Sequence, residues 1–413
     1  MQSPKLPLVP RSINLAGRAL HRIGWRPVAL DAESLLAAAR RSTGLSDFGD
    51  EGFREGLDRL IRSLEEDAGL SLIGRVIARG DLTRCLENRL HVVDWHARHP
   101  EIGEQPISRP IFICGQGRTG TTILHELLAL DPANRVPLTW EVDRPHPPPE
   151  RASHTSDPRI TEVQKTIDGA ERLIPDFKRR HRMGAELPQE CVRIMASDFR
   201  SAIFPAQWPV QSYMHWLVHE ADMAPAYAFH RKLLQLLQWR CPAERWVVKS
   251  PGHLWCLESV LQEYPDAFFV QTHRDPLRVL SSLSSLELVL RTMSSEGLEL
   301  GATAREWSEW LLPAYERSVD FREKGIVDPS RIVDLQFREF LADPVANVRR
   351  IYEKFDLELR PEVEQRMRDY LAANPSDRDG KHMHRIEDTG LDVAEEREKV
   401  RRYQEYFDVP SEG

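Results

Sequence analysis

Residues 111–128 read IFICGQGRTGTTILHELL. The apolar run Ile111-Phe112-Ile113-Cys114 has the composition of a buried strand, and Leu124, Leu127 and Leu128 return at helical spacing. The stretch therefore predicts a strand, a glycine loop and a helix. Gly115, Gly117 and Gly120 allow the backbone to curl until successive N–H groups point into one concavity, where the N-terminus of the following helix adds partial positive charge. Such a loop suits an anion, most often a phosphate. The plainer alternative is a glycine-rich turn between a core strand and a core helix.

Two further strand-to-loop junctions follow. Arg245-Trp246-Val247-Val248 has β character and ends in Lys249-Ser250-Pro251-Gly252-His253, before a helix carrying Leu254, Leu257, Val260 and Leu261. Ala267 to Thr272 reads as a buried strand, left by His273-Arg274-Asp275-Pro276, in which Asp275 suits a helix N-cap and Pro276 the first helical position. Leu277, Leu280 and Leu283 of that helix face the core, which turns Arg278 and Ser282 together towards another face. A fourth β-like run spans Arg331 to Gln336. Alternating strands and helices predict a parallel sheet, and Arg118, Lys249 and Arg274 would all emerge at the carboxyl ends of its strands, where ligands gather in such sheets. Upstream, Phe53, Leu57, Leu60, Ile61 and Leu64, and then Leu82, Leu86, Leu90 and Val93, form two helical stripes. The expected architecture is α/β, a three-layer sandwich around a short parallel sheet in residues 106–413, with a helical segment, residues 1–105, packed on it.

With 413 residues the chain can bury a sizeable core, and a net charge of −8 gives no overall basic footprint for nucleic acid. Any anion site must be local. Five scattered cysteines with no CxxC pair indicate neither a disulfide framework nor a zinc site, and a reducing compartment is expected. No apolar run reaches the length of a membrane span and no signal peptide is evident, so the expectation is a soluble, cytoplasmic protein. Residues 1–30 carry Lys5, Arg11, Arg18, Arg22 and Arg26 with no acid before Asp31, and Ile13, Ala16, Leu20 and Ile23 share a helical face. A basic amphipathic helix can lie on an anionic membrane, but packing on its own domain is commoner and is the expectation here. Prolines 145 and 147–149 predict a stiff extended wall, and the aromatics between Phe199 and Trp239 a core with room for an apolar pocket. His215 and His219 stand one helical turn apart and His382 and His384 two residues apart, but neither pair has further ligands placed to complete a metal site. Nothing in the sequence reports the oligomeric state.

The loop departs from the nucleoside-triphosphatase P-loop in one respect: Thr121 stands where that motif needs lysine. Arg118 lies inside the loop instead, with the hydroxyls of Thr121 and Thr122 opening the helix. Arg118-Thr119-Gly120-Thr121-Thr122 resembles the 5′-phosphosulfate loop of the sulfotransferases that use 3′-phosphoadenosine 5′-phosphosulfate (PAPS). Arg274 with Ser282 eight residues later resembles the 3′-phosphate motif of that family, and Gly380-Lys381-His382 through Leu391 resembles the tail of its bacterial members. The resemblance implies a P-loop nucleotide-hydrolase-like fold and an enzyme that moves a sulfonate from PAPS to a hydroxyl of a small, apolar acceptor without a metal, releasing 3′,5′-adenosine bisphosphate. It implies nucleotide binding by Gly117, Arg118, Thr119, Gly120, Thr121, Thr122, Arg274 and Ser282. Arg118 and Lys249 are implied to stabilise the leaving phosphate. Glu141 is the preferred base and His253 its rival. A P-loop nucleotide kinase or triphosphatase is disfavoured by Thr121 and by the lack of a magnesium-binding aspartate after a strand. A nucleotide-binding scaffold without chemistry is the remaining alternative.

Overall fold

Ile111–Cys114 forms strand β1, buried along its whole length, at the centre of a five-stranded parallel sheet. In this computed structural model, which describes residues 6–25, 27–178, 181–374 and 385–412, the other strands are β2 (Asn134–Arg135), β3 (Arg245–Lys249), β4 (Phe268–His273) and β5 (Ile332–Gln336). Lys5, Arg26, Lys381, His382 and His384 lie outside the described residues. The order is β2-β3-β1-β4-β5, with Ile111 opposite both Val247 and Phe268, and Phe269 opposite Ile332.

Side chains alternate across the strands into two cores. Phe112, Val248 and Phe269 pack with Leu233, Leu257 and Tyr264 on one face, while Ile111, Ile113, Val247, Val270 and Val333 pack with Leu124, Leu127, Val348 and Ile351 on the other. Both faces are covered, which is why these strands read as continuous apolar runs rather than an alternating pattern. The sheet pattern expected from the second half is present. The two-residue β2 was not expected, because Asn134 and Arg135 are polar. Their burial is offset by hydrogen bonds from Asn134 Nδ2 to Leu128 O and Tyr352 Oη, and from Arg135 Nη1 to Leu237 O.

Helices α1 (Leu8–Arg22), α2 (Ala32–Thr43), α3 (Phe53–Glu66) and α4 (Leu72–Arg98) precede the sheet. Asp31 caps α2 through the Ser34 N–H at 2.9 Å, and Ser71 caps α4 through the Gly74 N–H at 3.0 Å. Leu35, Leu57, Leu82 and Leu86 share one core with Trp208, Tyr213, Leu280 and Tyr315, so the helices before residue 106 are part of the packing of the later ones. On α4 the buried stripe ends at Val92, with Val93 only half-buried. The aromatics from Phe199 to Phe229 are core residues, and Trp239 is half-buried.

The glycine loop joins β1 to α5 (Thr121–Leu128) and runs against β4. A Cβ on Gly115 would stand 1.9 Å from Thr272 Oγ1, so only glycine permits this approach. Gly115→Ala is expected to cost about 1–3 kcal/mol of stability in urea denaturation through overpacking. Adding Thr272→Ala should recover part of that loss, and strictly additive effects would show that the two residues do not meet in this way.

Candidate active site

The loop curls because Arg118 (φ 72°) and Gly120 (φ 89°) both adopt left-handed backbone conformations. Thr119 is buried and donates its hydroxyl to Gln116 O at 2.6 Å while lying 2.6 Å from Thr272 Oγ1, so its side chain fastens the loop to β4. Thr121 is also buried. Thr122 is exposed at the start of α5, where Lys249 Nζ, at the end of β3, donates to its hydroxyl at 3.3 Å. Arg118 extends the other way, and its Nε donates to Ser282 Oγ at 3.1 Å.

Arg274 follows β4 directly. Its Nη1 donates to Arg118 O at 2.8 Å, its guanidinium lies 4.0 Å from the Phe337 ring centroid, and Nε and Nη2 each reach one oxygen of Glu412 at 3.0 Å. The planar fork thus holds a carboxylate in the bidentate manner in which it would hold a phosphate. Glu412 is fixed in turn, its own N–H donating to Asp275 Oδ2 at 2.6 Å. Asp275 also caps the helix Pro276–Arg291 through the Leu277 N–H and pairs with Arg397.

Lys249 is 4% exposed, and its counter-ion is Glu190, with Nζ 2.8 Å from Oε1. Glu190 immediately precedes the short helix Cys191–Met195 and keeps 27% of its side chain exposed. Burial pushes the Glu190 carboxyl up, but the Lys249 charge and hydrogen bond outweigh it and hold it below the ordinary carboxylate value. His181 shares this environment: burial pulls its imidazole down, Glu190 opposes that effect, and Lys249 and Arg118 reinforce it. One strand-end crevice therefore collects three cations, the exposed hydroxyl of Thr122 and the carboxylates of Glu190 and Glu412. That set can neutralise a polyanion and accept one proton.

The sequence profile of the sulfotransferase family matches residues 110–361, well over half of the chain. The crystal structure of sulfotransferase STF9 from Mycobacterium avium is 30% identical, with a TM-score of 0.85, over 94% of this chain and 100% of that one. This chain belongs to the sulfotransferase family. Sulfotransferase STF1 from Mycobacterium tuberculosis H37Rv is likewise 30% identical, with a TM-score of 0.80, over 91% of this chain and 99% of that one. The omega-hydroxy-beta-dihydromenaquinone-9 sulfotransferase Stf3 of Mycobacterium bovis is 28% identical over 278 residues, which are 64% of this chain and 66% of the relative's own length. The family, the α/β fold and an enzyme of sulfonate transfer are thus established for this chain.

The two residues expected to compete as base in this sulfotransferase have other partners. Glu141 is 0% exposed: Oε1 accepts from Arg135 Nη2 at 2.5 Å and His154 Nε2 at 3.0 Å, and Oε2 accepts from the Leu138 N–H at 3.0 Å. Burial raises its affinity for a proton, while Arg135 and His154 more than reverse that effect. Thr139-Trp140-Glu141 is the first turn of a short helix, and Glu141 folds back on its N-cap. His253 is fully buried, edge-on to Phe112 with ring centroids 4.9 Å apart, and its Nδ1 lies 2.7 Å from Tyr227 Oη. Burial, with His230 nearby, holds it well below the ordinary histidine value, so the ring is neutral. Pro251 opens a 3-10 turn that directs His253 into the core rather than along the strand-end crevice.

Glu190, His181 and Glu412 were not found from sequence. Glu190 lies in an ordinary helix approach, Leu187-Pro188-Gln189-Glu190-Cys191, and only the fold sets it opposite Lys249. Lys249→Met would leave the half-buried Glu190 without its counter-ion, and its pKa should then rise above the ordinary carboxylate value. In the parent, a depressed folded value means that this group's contribution to stability is present above the unfolded pKa and is lost as pH falls through the folded one. In the variant the sign reverses, and stability should fall as pH rises from the unfolded value through the raised folded one. Carboxyl-carbon NMR of the two proteins checks this, and an unmoved Glu190 resonance would refute the pairing.

Proposed function

We propose that this sulfotransferase transfers a sulfonate group from PAPS to a hydroxyl of a small apolar acceptor, with Glu190 as the base. The observation that carries this reading is the Lys249–Glu190 pair beside Thr122, at the mouth of the glycine loop. In the transfer, the acceptor O–H loses its proton to the Glu190 carboxylate as a new O–S bond forms. The bond from sulfur to the bridging phosphate oxygen breaks, and its electron pair leaves with 3′,5′-adenosine bisphosphate. Arg118 and Lys249 stabilise the charge gathering on that oxygen, the loop N–H groups and Thr122 bind the 5′-phosphate, and Arg274 receives the 3′-phosphate in exchange for Glu412. In this reading the charge of the phosphates falls to these cations and N–H donors, and no metal is named.

The apolar acceptor rests on a relative, and a cleft of mixed lining gives it a place. The Mycobacterium bovis relative is named for a hydroxylated dihydromenaquinone. A cleft of about 170 Å³ in this chain includes Val192 and Ser250, which follow Glu190 and Lys249 closely in sequence, and is lined by Met195, Leu217, Met223 and Trp255 on one part and by Arg200, Asp222, Glu258 and Arg317 on another. We assign the reaction to the cytoplasm, where the free thiols of Cys85, Cys114, Cys191, Cys241 and Cys256 would remain reduced.

Calorimetric titration should show tight binding of 3′,5′-adenosine bisphosphate and weak binding of ATP with Mg²⁺; the reverse order would overturn the donor assignment. Glu190→Gln should lower kcat for PAPS turnover by about 10²–10⁴-fold with the bisphosphate affinity unchanged. Glu141→Gln should lower stability and leave kcat of the folded enzyme near the parent value. If Glu141→Gln abolished turnover while Glu190→Gln did not, the base would be Glu141. Glu412→Gln should tighten bisphosphate binding severalfold, because the nucleotide no longer displaces a charged ligand from Arg274. Unchanged or weaker binding would show that Glu412 and the nucleotide do not share that arginine.

A further inference from the structure

Helix α1 packs on the protein with its polar and small side. Gly17 lies against Leu72 so closely that a Cβ would meet Leu72 Cβ at 2.5 Å, and buried Asn14 accepts the Ile73 N–H through Oδ1 at 3.1 Å. At 3.6 residues per turn, the side opposite Asn14 and Gly17 carries Leu8, Leu15 and Ala19 around Ser12, with Val9 beside them, and Ile23 follows in the turn after the helix. That side faces solvent: Leu8 is 76%, Leu15 61% and Ile23 76% exposed, and Trp25 follows at 58%. An ordinary surface helix does the reverse and turns its apolar stripe inward.

The inversion is local. Among the described residues, the large hydrophobic side chains that are exposed are Leu8, Val9, Ile13, Leu15, Ile23, Trp25, Val76, Leu341 and Tyr406. All but the last two lie on α1, on the turn after it, or on the first turns of α4, against which α1 packs. Arg11, Arg18 and Arg22 run along one border of the apolar side, all exposed, and α1 has no acidic residue in a chain whose net charge is −8. Arg18 reaches Glu296 at 3.3 Å. Arg75 Nε and Arg79 Nη1, from α4, donate to Val28 O and Ala29 O at 2.9 and 2.7 Å.

We infer that α1 and its following turn form a docking surface for an anionic lipid bilayer. An apolar strip bordered by arginines and ended by a tryptophan matches the acyl boundary, the phosphate layer and the interface of a membrane in turn, whereas a protein partner would require none of the three in that order. No helix among the described residues is long and apolar enough to cross a membrane, so the contact is with the surface. This revises the expectation that the basic N-terminal helix simply packs on its own domain: it packs there by its polar side and leaves the apolar side for the bilayer.

The test is co-sedimentation of the full chain with vesicles of phosphatidylcholine alone and of phosphatidylcholine mixed with phosphatidylglycerol. Binding to the mixed vesicles should be at least tenfold stronger and should weaken as salt is raised. Leu15→Glu combined with Ile23→Glu should abolish it without changing bisphosphate affinity, which also shows that the variant is folded. Arg11→Glu combined with Arg22→Glu should remove the preference for anionic vesicles. Equal or negligible binding to both vesicle types would overturn the inference. So would a concentration-dependent dimer, seen by sedimentation, that the Leu15→Glu and Ile23→Glu variant fails to form, since the apolar side would then belong to a second copy of the chain.

Discussion

A parallel sheet covered on both faces leaves its chemistry one outlet, the carboxyl ends of its strands. β1 lies between β3 and β4, so the loops leaving these three strands meet above the middle of the sheet. Arg118, Lys249 and Arg274 each sit within a few residues of a strand end and are brought together by register rather than by sequence spacing. The fit of Gly115 against Thr272, and the bond that fastens Thr119 to the same threonine, set the height of the loop above β4. The position of Arg118 relative to Ser282 and Arg274 follows from that height.

Of the three cations Lys249 and Arg274 are largely removed from water, where a charge without a partner is costly, while Arg118 is exposed and needs only a hydrogen-bond partner. The chain provides a separate partner for each. Ser282 takes Arg118, Glu190 takes Lys249 and Glu412 takes Arg274. The partners differ in permanence. Glu190 is set at the start of a helix packed against the core, and it keeps enough exposure to meet a substrate. Glu412 reaches the site from the far end of the chain and is held by a backbone bond and by Arg274 itself, so an incoming phosphate of higher charge can replace it. If Arg274 receives the 3′-phosphate as proposed, nucleotide binding there is an exchange of anions, and its free energy is the difference between the two contacts rather than the worth of one.

What the sequence made legible was local. The glycine loop, the apolar strands and the Asp275-Pro276 helix start depend on neighbours within a few residues, and the structure has each of them. The surroundings of Glu141 were not legible, for the same reason. Its closeness in sequence to the loop helix suggested closeness in space, but Glu141 sits at the third position of a helix and its carboxylate returns to its own N-cap and to Arg135. Glu190 was illegible because its meaning depends on Lys249, on a different element, and no periodicity links the two. β2 escaped for a related reason: two polar residues become a strand only when Asn134 and Arg135 find acceptors on the helices around them.

The amphipathicity of α1 was legible, but its orientation was not. Periodicity shows that a helix has an apolar side and says nothing about which side the protein will take. Here Gly17 decides the matter, since the close approach to Leu72 is available only where the helix has no side chain. Once that face is fixed, Leu8, Leu15 and Ile23 must point outward whatever their hydrophobicity. A soluble protein gains nothing from such an arrangement, which exposes apolar area at roughly 25 cal/mol per Å² relative to burying it. Placed at a bilayer, the same area is removed from water and the arginine border meets phosphate. An enzyme whose acceptor is apolar would then work where that acceptor is concentrated.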